Sequence, residues 1–444
     1  LDILPVQQGA DESLTLSYQN KTHQLDTKKG ETNQDADAVM LVRKRKSRIY
    51  FKRTFFDYPI TLSFDTIKKL GFIHTFKIGV SYIKASLFPI KDEQNLEEFF
   101  INRFGKVLYK TFFKSYTEKV WGVACKDISA AWGAQRIKGL SITKSLVHFL
   151  KKTFGAKNKD ISQKDTETSL IEYFLYPKYG PGQMWETVGH KVKNKGGEIV
   201  MNAEVVSLEN TNEGIQSVTY TNSKNEQITV KADYIISTMP IKDLFTSFTI
   251  PAPKEVTDVS NNLMYRDFLT VGVLLNKLET GYLEDNWIYV QEPDVMVGRL
   301  QIFNNWSPFM VKNPDQTWIG MEYFCFEGDG LWSKTEEEMK AFAIEELMKM
   351  NLIKKGDALD AVVIKMPKTY PAYFGIYDQF HKVEEHLKQI PNLYPVGRNG
   401  MHKYNNQDHS MLTAMSAVEQ ITSGLGNKSD IWDINTEQEY HEKK

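Results

Sequence analysis

The sequence predicts an α/β chain of three textures, and three observations carry that reading. Residues from about 63 to 165 keep a 3.6-residue apolar period; after Tyr176 helical and β-branched segments alternate; and from 246 to 390 short apolar or alternating runs follow one another, as in a mainly antiparallel sheet. With 444 residues and 41% hydrophobic content, the chain can build such a core without disulfides or metals.

Taken in order, residues 1–46 are polar and without a sustained period, and read as a loop or insertion. Residues 47–62 turn aromatic and β-branched, as in two short strands joined by a turn. The basic run Arg43-Lys44-Arg45-Lys46 beside them reads as a solvated edge. Phe72, Ile73, Phe76, Val80, Ile83 and Leu87 lie on one face of a helix, and Leu96 to Leu108 form a second that Asn95 caps with Glu98 three residues on. A third helical run covers roughly 144 to 152. Between 166 and 245 a helix closed by Gly196-Gly197 precedes strands near 198–208, 215–220 and 227–238, the last stopping at Met239-Pro240. Runs at 268–275, 286–291, 298–304, 317–326 and 361–367 make the antiparallel sheet, with a helix inserted from Thr335 to Met350. Residues 391–430 add a strand, Leu393 to Val396, and a helix from Ser410; residues 431–444 form a tail.

Charge and composition exclude whole classes. Lys+Arg 55 against Asp+Glu 56 leaves a net charge of -1, so no overall positive field exists to hold a nucleic acid. No apolar run approaches the roughly 18 residues that cross a bilayer. Cys125 and Cys325 cannot form a zinc cluster alone, and no metal site is expected; two thiols fit a reducing, cytoplasmic setting. The phosphate-loop, zinc-protease, nucleophile-elbow and Cys-x-x-Cys signatures are all missing.

What remains are turns rich in Gly, Arg and Trp at strand ends, where open α/β sheets bind ligands. The first runs from Glu118-Lys119-Val120-Trp121-Gly122 to Trp132-Gly133-Ala134-Gln135-Arg136; its plain reading is core tryptophans and a surface cation. The second is Tyr176 to Trp185, whose Gly180-Pro181-Gly182-Gln183 either brings backbone N–H groups to a ligand or makes an ordinary turn. The third is Gly397-Arg398-Asn399-Gly400 through Asn406-Gln407-Asp408-His409-Ser410, where Asp408 or Ser410 can cap the following helix and His409 reads as a hydrogen-bonded turn residue. Arg is scarce, nine of the 55 basic residues, so each isolated Arg draws notice as a place for a planar guanidinium fork.

These motifs, with Ser237-Thr238-Met239-Pro240, resemble in the same order the flavin-dependent superfamily of UDP-galactopyranose mutases, protoporphyrinogen oxidases and flavin amine oxidases. The mutase-like branch is the nearest, and the resemblance runs from about Arg43 to Gly424. It implies FAD in a discontinuous Rossmann-like domain, here 166–245 and 391–430, with a helical domain at 63–165 and an antiparallel substrate sheet at 246–390 that strands 47–62 join. By the same resemblance Gly180, Gly182, Gln183, Met184, Gly397, Arg398, Asn406, Gln407, Asp408 and Ser410 face the flavin and its pyrophosphate. Arg136 and Arg299 clamp a substrate diphosphate, with Trp132, Tyr370 and Tyr404 beside it. The implied activity is attack of reduced-flavin N5 on the anomeric carbon of a UDP-sugar, a pyranose–furanose interconversion for cell-surface polysaccharide synthesis. No protein nucleophile is then needed, and the partner is a nucleotide-sugar or another small molecule, with a homo-oligomer open. Oxidation of the protoporphyrinogen or amine type is the alternative, and a non-catalytic remnant the second.

One departure stands out. The family opens with a strand, a G-x-G-x-x-G turn and a helix, and this chain contains no such turn. The expectation is an N-terminally truncated product that binds flavin weakly or not at all unless that piece comes from elsewhere.

Overall fold

A computed structural model describes residues 3–7, 14–18, 21–25, 37–58, 60, 63–130, 133, 161–162, 173–276, 278 and 283–434. In chain order, β1 (Leu14–Tyr18) and β2 (Lys21–Leu25) form an antiparallel hairpin inside the stretch that reads as loop. The alternation of Leu14, Leu16 and Tyr18 with Thr15 and Ser17 is the strand signal there, short enough to vanish among polar neighbours. Next come β3 (Met40–Lys44), β4 (Ser47–Phe51) and β5 (Thr54–Asp57). The helical part holds α1 (Phe64–Leu70), α2 (Phe72–Leu87), α3 (Leu96–Leu108) and α4 (Lys114–Trp121). Asn95 caps α3, its side chain accepting from the Glu98 N–H at 3.0 Å. The helix expected near 144–152 lies outside the described residues.

The face that α2 turns inward is not the one its period suggests. Phe72, Phe76, Ile83 and Leu87 stand exposed, while Ile78 and Ala85 are buried. Gly105 of α3, at φ 74, is the cause: a Cβ there would lie 2.7 Å from the Tyr82 nitrogen, so only glycine lets the two backbones approach on that side. Val107 N donates to Ser81 Oγ at 3.1 Å and His74 meets Thr111 at 3.0 Å on the same inner face.

After β6 (Ile161–Ser162), which lies parallel to β1, β7 (Tyr173–Pro177) pairs antiparallel with β3 and leads into α5 (Pro181–Asn194). A meander follows, β8 (Glu204–Thr211), β9 (Gly214–Thr221) and β10 (Gln227–Val230), then β11 (Ile235–Ser237), α6 (Ile241–Ser247) and α7 (Lys254–Asn262). The large sheet takes β12 (Tyr265–Asn276), β13 (Trp287–Val290), β14 (Arg299–Ile302), β15 (Gln316–Cys325) and β16 (Ala358–Pro371). Its seven strands run β16-β12-β15-β14-β13-β4-β5, antiparallel except where β13 meets β4. On it lies α8 (Glu336–Lys349), closed at its start by a Thr335–Glu338 capping box and burying Met339, Ala343 and Leu347. The chain ends through α9 (His381–Gln389), β17 (Leu393–Pro395), α10 (Gln407–Ser423) and α11 (Lys428–Asp433). β17 pairs parallel with β11, which sets Ser237 beside Pro395. Phe99, Phe100, Phe104 and Trp121 pack on Phe268, Phe324 and Tyr370, joining the helical part to the sheet.

Candidate functional site

The sheet register builds the centre of the site. β14 and β15 set Arg299 directly across from Glu322, and the Arg299 Nε donates to Glu322 Oε2. Gln301, two residues along the same face, donates to Glu322 Oε1 at 2.9 Å. Burial works against the Arg299 charge, but Glu322, Tyr116 and Tyr370 outweigh it and hold the guanidinium protonated well above its ordinary range. Its two terminal amino groups carry no hydrogen bond among the described residues.

Next to this pair, Tyr370 at the end of β16 stacks on Tyr404, centroids 5.3 Å apart and planes 24° from parallel. Arg398 lies over both rings, 5.2 Å from Tyr370 and 4.8 Å from Tyr404. Its fork is fastened to the carbonyls of Asn405 (2.8 Å) and Thr369 (3.2 Å). Tyr370 feels Arg299 and Arg398 together; even so, burial and Tyr404 push its phenol up, so it keeps its proton at neutral pH. Burial does the same to Tyr116 of α4. Tyr116 and Glu322 escaped the sequence reading. Glu322 left a signal, an acid inside the apolar run Ile319 to Cys325, where a buried charge demands a partner.

The Lys119-to-Gly122 motif explains itself here. Gly122 sits at φ 70, and a Cβ on it would lie 2.8 Å from the Arg266 guanidinium. Arg266 donates to the carbonyls of Val120 and Phe324, and Lys119 Nζ to those of Val290, Glu292 and Val297, burial lowering its pKa to about 8. Trp121, thus fixed, meets Tyr404 at 6.2 Å. Gly133 is packed against Leu96 and Phe99. Trp132 and Arg136 lie outside the described residues.

The turn at 176–185 joins from the other side. Tyr176 packs at a tilt against Trp306 (5.1 Å), Trp306 stacks on Trp287 (5.5 Å), and Trp306 Nε1 donates to Gln301 Oε1 at 2.9 Å. Gly180, at φ 91, starts α5 beside Met310, whereas nothing lies within 4 Å of a Cβ built on Gly182. The Gln183 side chain is spent on the turn, accepting from Tyr179 N and donating to the Asp37 carbonyl at 2.6 Å. Met184 is partly buried in the first turn of α5. A run of contacts therefore leads from the Tyr176–Trp185 turn through Trp306, Gln301 and Glu322 to Arg299, whose charge acts on Tyr370.

That group borders the third motif. Gly397, at φ 77, donates its N–H to Thr413 Oγ1 at 3.0 Å and lies 3.9 Å, measured from a built Cβ, from Ser410. At Gly400 a Cβ would come 2.5 Å from the Ser237 carbonyl, so the strand end at 237–238 and this turn share one space. The cap of α10 is Asn406, reciprocally bonded with His409, rather than Asp408 or Ser410: the helix starts at Gln407, four residues before the periodic apolar run that opens at Met411. Asp408 stands 3.4 Å from His409 Nδ1, and Ser410 Oγ returns to the Asn406 carbonyl at 3.0 Å. Gln407 is exposed at the helix start. Among the described residues no group of His, Cys, Asp and Glu could hold a metal ion.

Residues 53–350 match the family described as flavin containing amine oxidoreductase, and the chain belongs to that family. No curated protein matches it in sequence. Among solved structures, its fold is similar to that of reduced UDP-galactopyranose mutase, with TM-score 0.72 and 18% identity over 90% of this chain and 83% of that one. It is also similar to a candidate protoporphyrinogen oxidase from Exiguobacterium sp. 255-15 (TM-score 0.61, 14% identity, 86% and 81% covered) and to putrescine oxidase bound to putrescine (TM-score 0.52, 12%, 86% and 83%).

The cofactor of this class is FAD. The described residues fit part of it. Asn399 Oδ1 is buried without a partner in the 397–400 turn, Trp287 Nε1 is buried without one beside Trp306, and the N-terminus of α10 suits a phosphate. No described turn supplies the Gly-rich strand-to-helix bend that grips the adenosine end in the family, and α5 buries none of its side chains.

Proposed function

We propose that the enzyme isomerises a nucleoside-diphosphate sugar in the manner of a UDP-galactopyranose mutase. The observation that carries the proposal is that Arg398 lies over the Tyr370–Tyr404 stack while Arg299, on β14 of the large sheet, acts on the same Tyr370. With Glu322 included, that cluster keeps an excess of positive charge over an aromatic floor, a surface suited to a uridine diphosphate. Bound FAD, once reduced, would supply a nucleophilic nitrogen for displacing the diphosphate at the sugar's anomeric carbon. The chain's own residues would hold the leaving group. Arg299 offers its two terminal amino groups to the diphosphate, and Tyr370, protonated at neutral pH, donates to a phosphate oxygen. Tyr404 would do so from the opposite ring, Trp287, Trp306 and Tyr176 would shield the sugar from water, and Arg136 is assigned the second clamp with Trp132 beside it. The 180–184 turn and the 397–410 segment would hold the flavin.

The family match supports a second reading, oxidation of an amine or a related reduced substrate. Electrostatics disfavour it: an ammonium placed on the tyrosine stack would meet two guanidinium groups. The test is to incubate the protein with FAD, reduce it and supply UDP-galactopyranose, looking for the furanose isomer by chromatography. Arg299→Ala should weaken UDP binding about tenfold or more, the loss of a charge-assisted hydrogen bond. Unchanged UDP affinity, together with peroxide release on addition of a polyamine, would move the assignment to the oxidase class. A preparation that retains no flavin absorbance after unbound FAD is removed, and shows no turnover, would favour a non-catalytic remnant.

A further inference from the structure

The helical part carries an apolar surface that the flavin site leaves unused. On α2, Phe72, Ile73, Phe76, Val80, Ile83 and Leu87 are exposed, from 51% at Val80 to 76% at Ile73. At 3.6 residues per turn these six fall within an arc of about 100°. The opposite face, His74, Ile78, Ser81 and Ala85, is the one that meets α3 and the segment after it. The helix is thus amphipathic with its large apolar side turned away from the other described residues. Phe64 on α1 and Phe88 just past α2 extend the surface at its two ends, exposed at 76% and 74%. Patches this large on one element mark an interaction site rather than scattered surface residues.

Charge names the occupant. The charged residues of α2 are Lys77 and Lys84, with no acid; on α1 Lys69 pairs with Asp65 and Lys68 stands beside it, and Asp92 and Glu93 follow only beyond Lys91. Lys77 and Lys84 fall along one border of the apolar arc on the same helical wheel. We propose that α1 and α2 dock this protein on the surface of an anionic lipid bilayer, the phenylalanine and aliphatic side chains entering the boundary between headgroups and acyl chains while the lysines meet the headgroups. An apolar stripe bordered by lysine is the pattern of a helix lying in an interface. No described helix is long and apolar enough to cross a membrane. A second copy of this chain fits the face less well, because a two-fold contact would set the same lysine-rich borders against each other.

The experiment is flotation of the purified full chain with vesicles of phosphatidylcholine, with and without phosphatidylserine. Binding is expected to the serine-containing vesicles and to weaken as salt rises. Phe76→Glu or Ile83→Glu should abolish it, and Lys77→Ala or Lys84→Ala should each weaken it about fivefold. The side chains are exposed, so thermal midpoints should stay at the wild-type value, which separates lost docking from lost folding. Failure to float with anionic vesicles, or flotation that Phe76→Glu leaves intact, overturns the proposal. So does a lipid-free dimer in sedimentation velocity that Phe76→Glu converts to monomer, which would make the face a contact between copies.

Discussion

Replacing Arg299 by alanine should destabilise the protein before any substrate is present, and the structure sets the size of the effect. Glu322 is 5% exposed, and its oxygens are taken by Arg299 and by Gln301. Removing one partner of a buried ion pair costs about 3–5 kcal/mol, because the remaining charge is left in a poorly solvating place. The Arg299 side chain is 28% exposed, so water recovers part of that, and about 2–3 kcal/mol is the expected loss. If the chain unfolds as one unit with an entropy of about 2.1 cal/mol/K per residue, the calorimetric midpoint falls by about 2–3 °C. Adding Glu322→Gln should recover at least half of this, since the amide carries no charge and can still accept from Gln301. Denaturation of the wild type, the single variant and the double variant, by urea and by scanning calorimetry, gives all three numbers. A double variant no more stable than Arg299→Ala would refute the reasoning, for the penalty would then have nothing to do with an orphaned Glu322.

Two further outcomes follow from the same packing. His402 is fully buried among Tyr265, Tyr377 and Phe380, and burial lowers its pKa to about 4. Between that value and the unfolded value of 6.5 the unfolded chain binds a proton that the folded one refuses, so stability should fall as pH drops through this window, by about 3 kcal/mol at most. His402→Gln should flatten that slope in urea titrations at successive pH values, and an unaltered slope would assign the acid sensitivity elsewhere. Gly400→Ala should cost about 2 kcal/mol and reduce retained flavin, because its methyl group would press on the Ser237 carbonyl; wild-type flavin absorbance in that variant would mean the turn and strand end can part.

The α/β class was legible from periodicity, and so were individual elements: the Asn95 cap of α3 and the apolar runs that became β12 and β15 read directly, since both signals are local. The glycine bends at Gly180 and Gly397 were legible as well, both at positive φ. Other features were invisible for a physical reason. The short β1–β2 hairpin has too little apolar contrast, and Tyr116 is an unremarked aromatic on a helix until the sheet carries Arg299 to it.

Sequence alone determined which residues could form strands, helices and bends, because backbone preference and side-chain period depend only on near neighbours. It supplied the guanidinium and phenol groups but not their company. Tertiary structure decided that Arg299 faces Glu322, that Arg398 covers two tyrosines, and that α2 turns its phenylalanines outward. Each of these depends on register or on which side a neighbouring backbone approaches, and such choices are made between segments far apart in the chain.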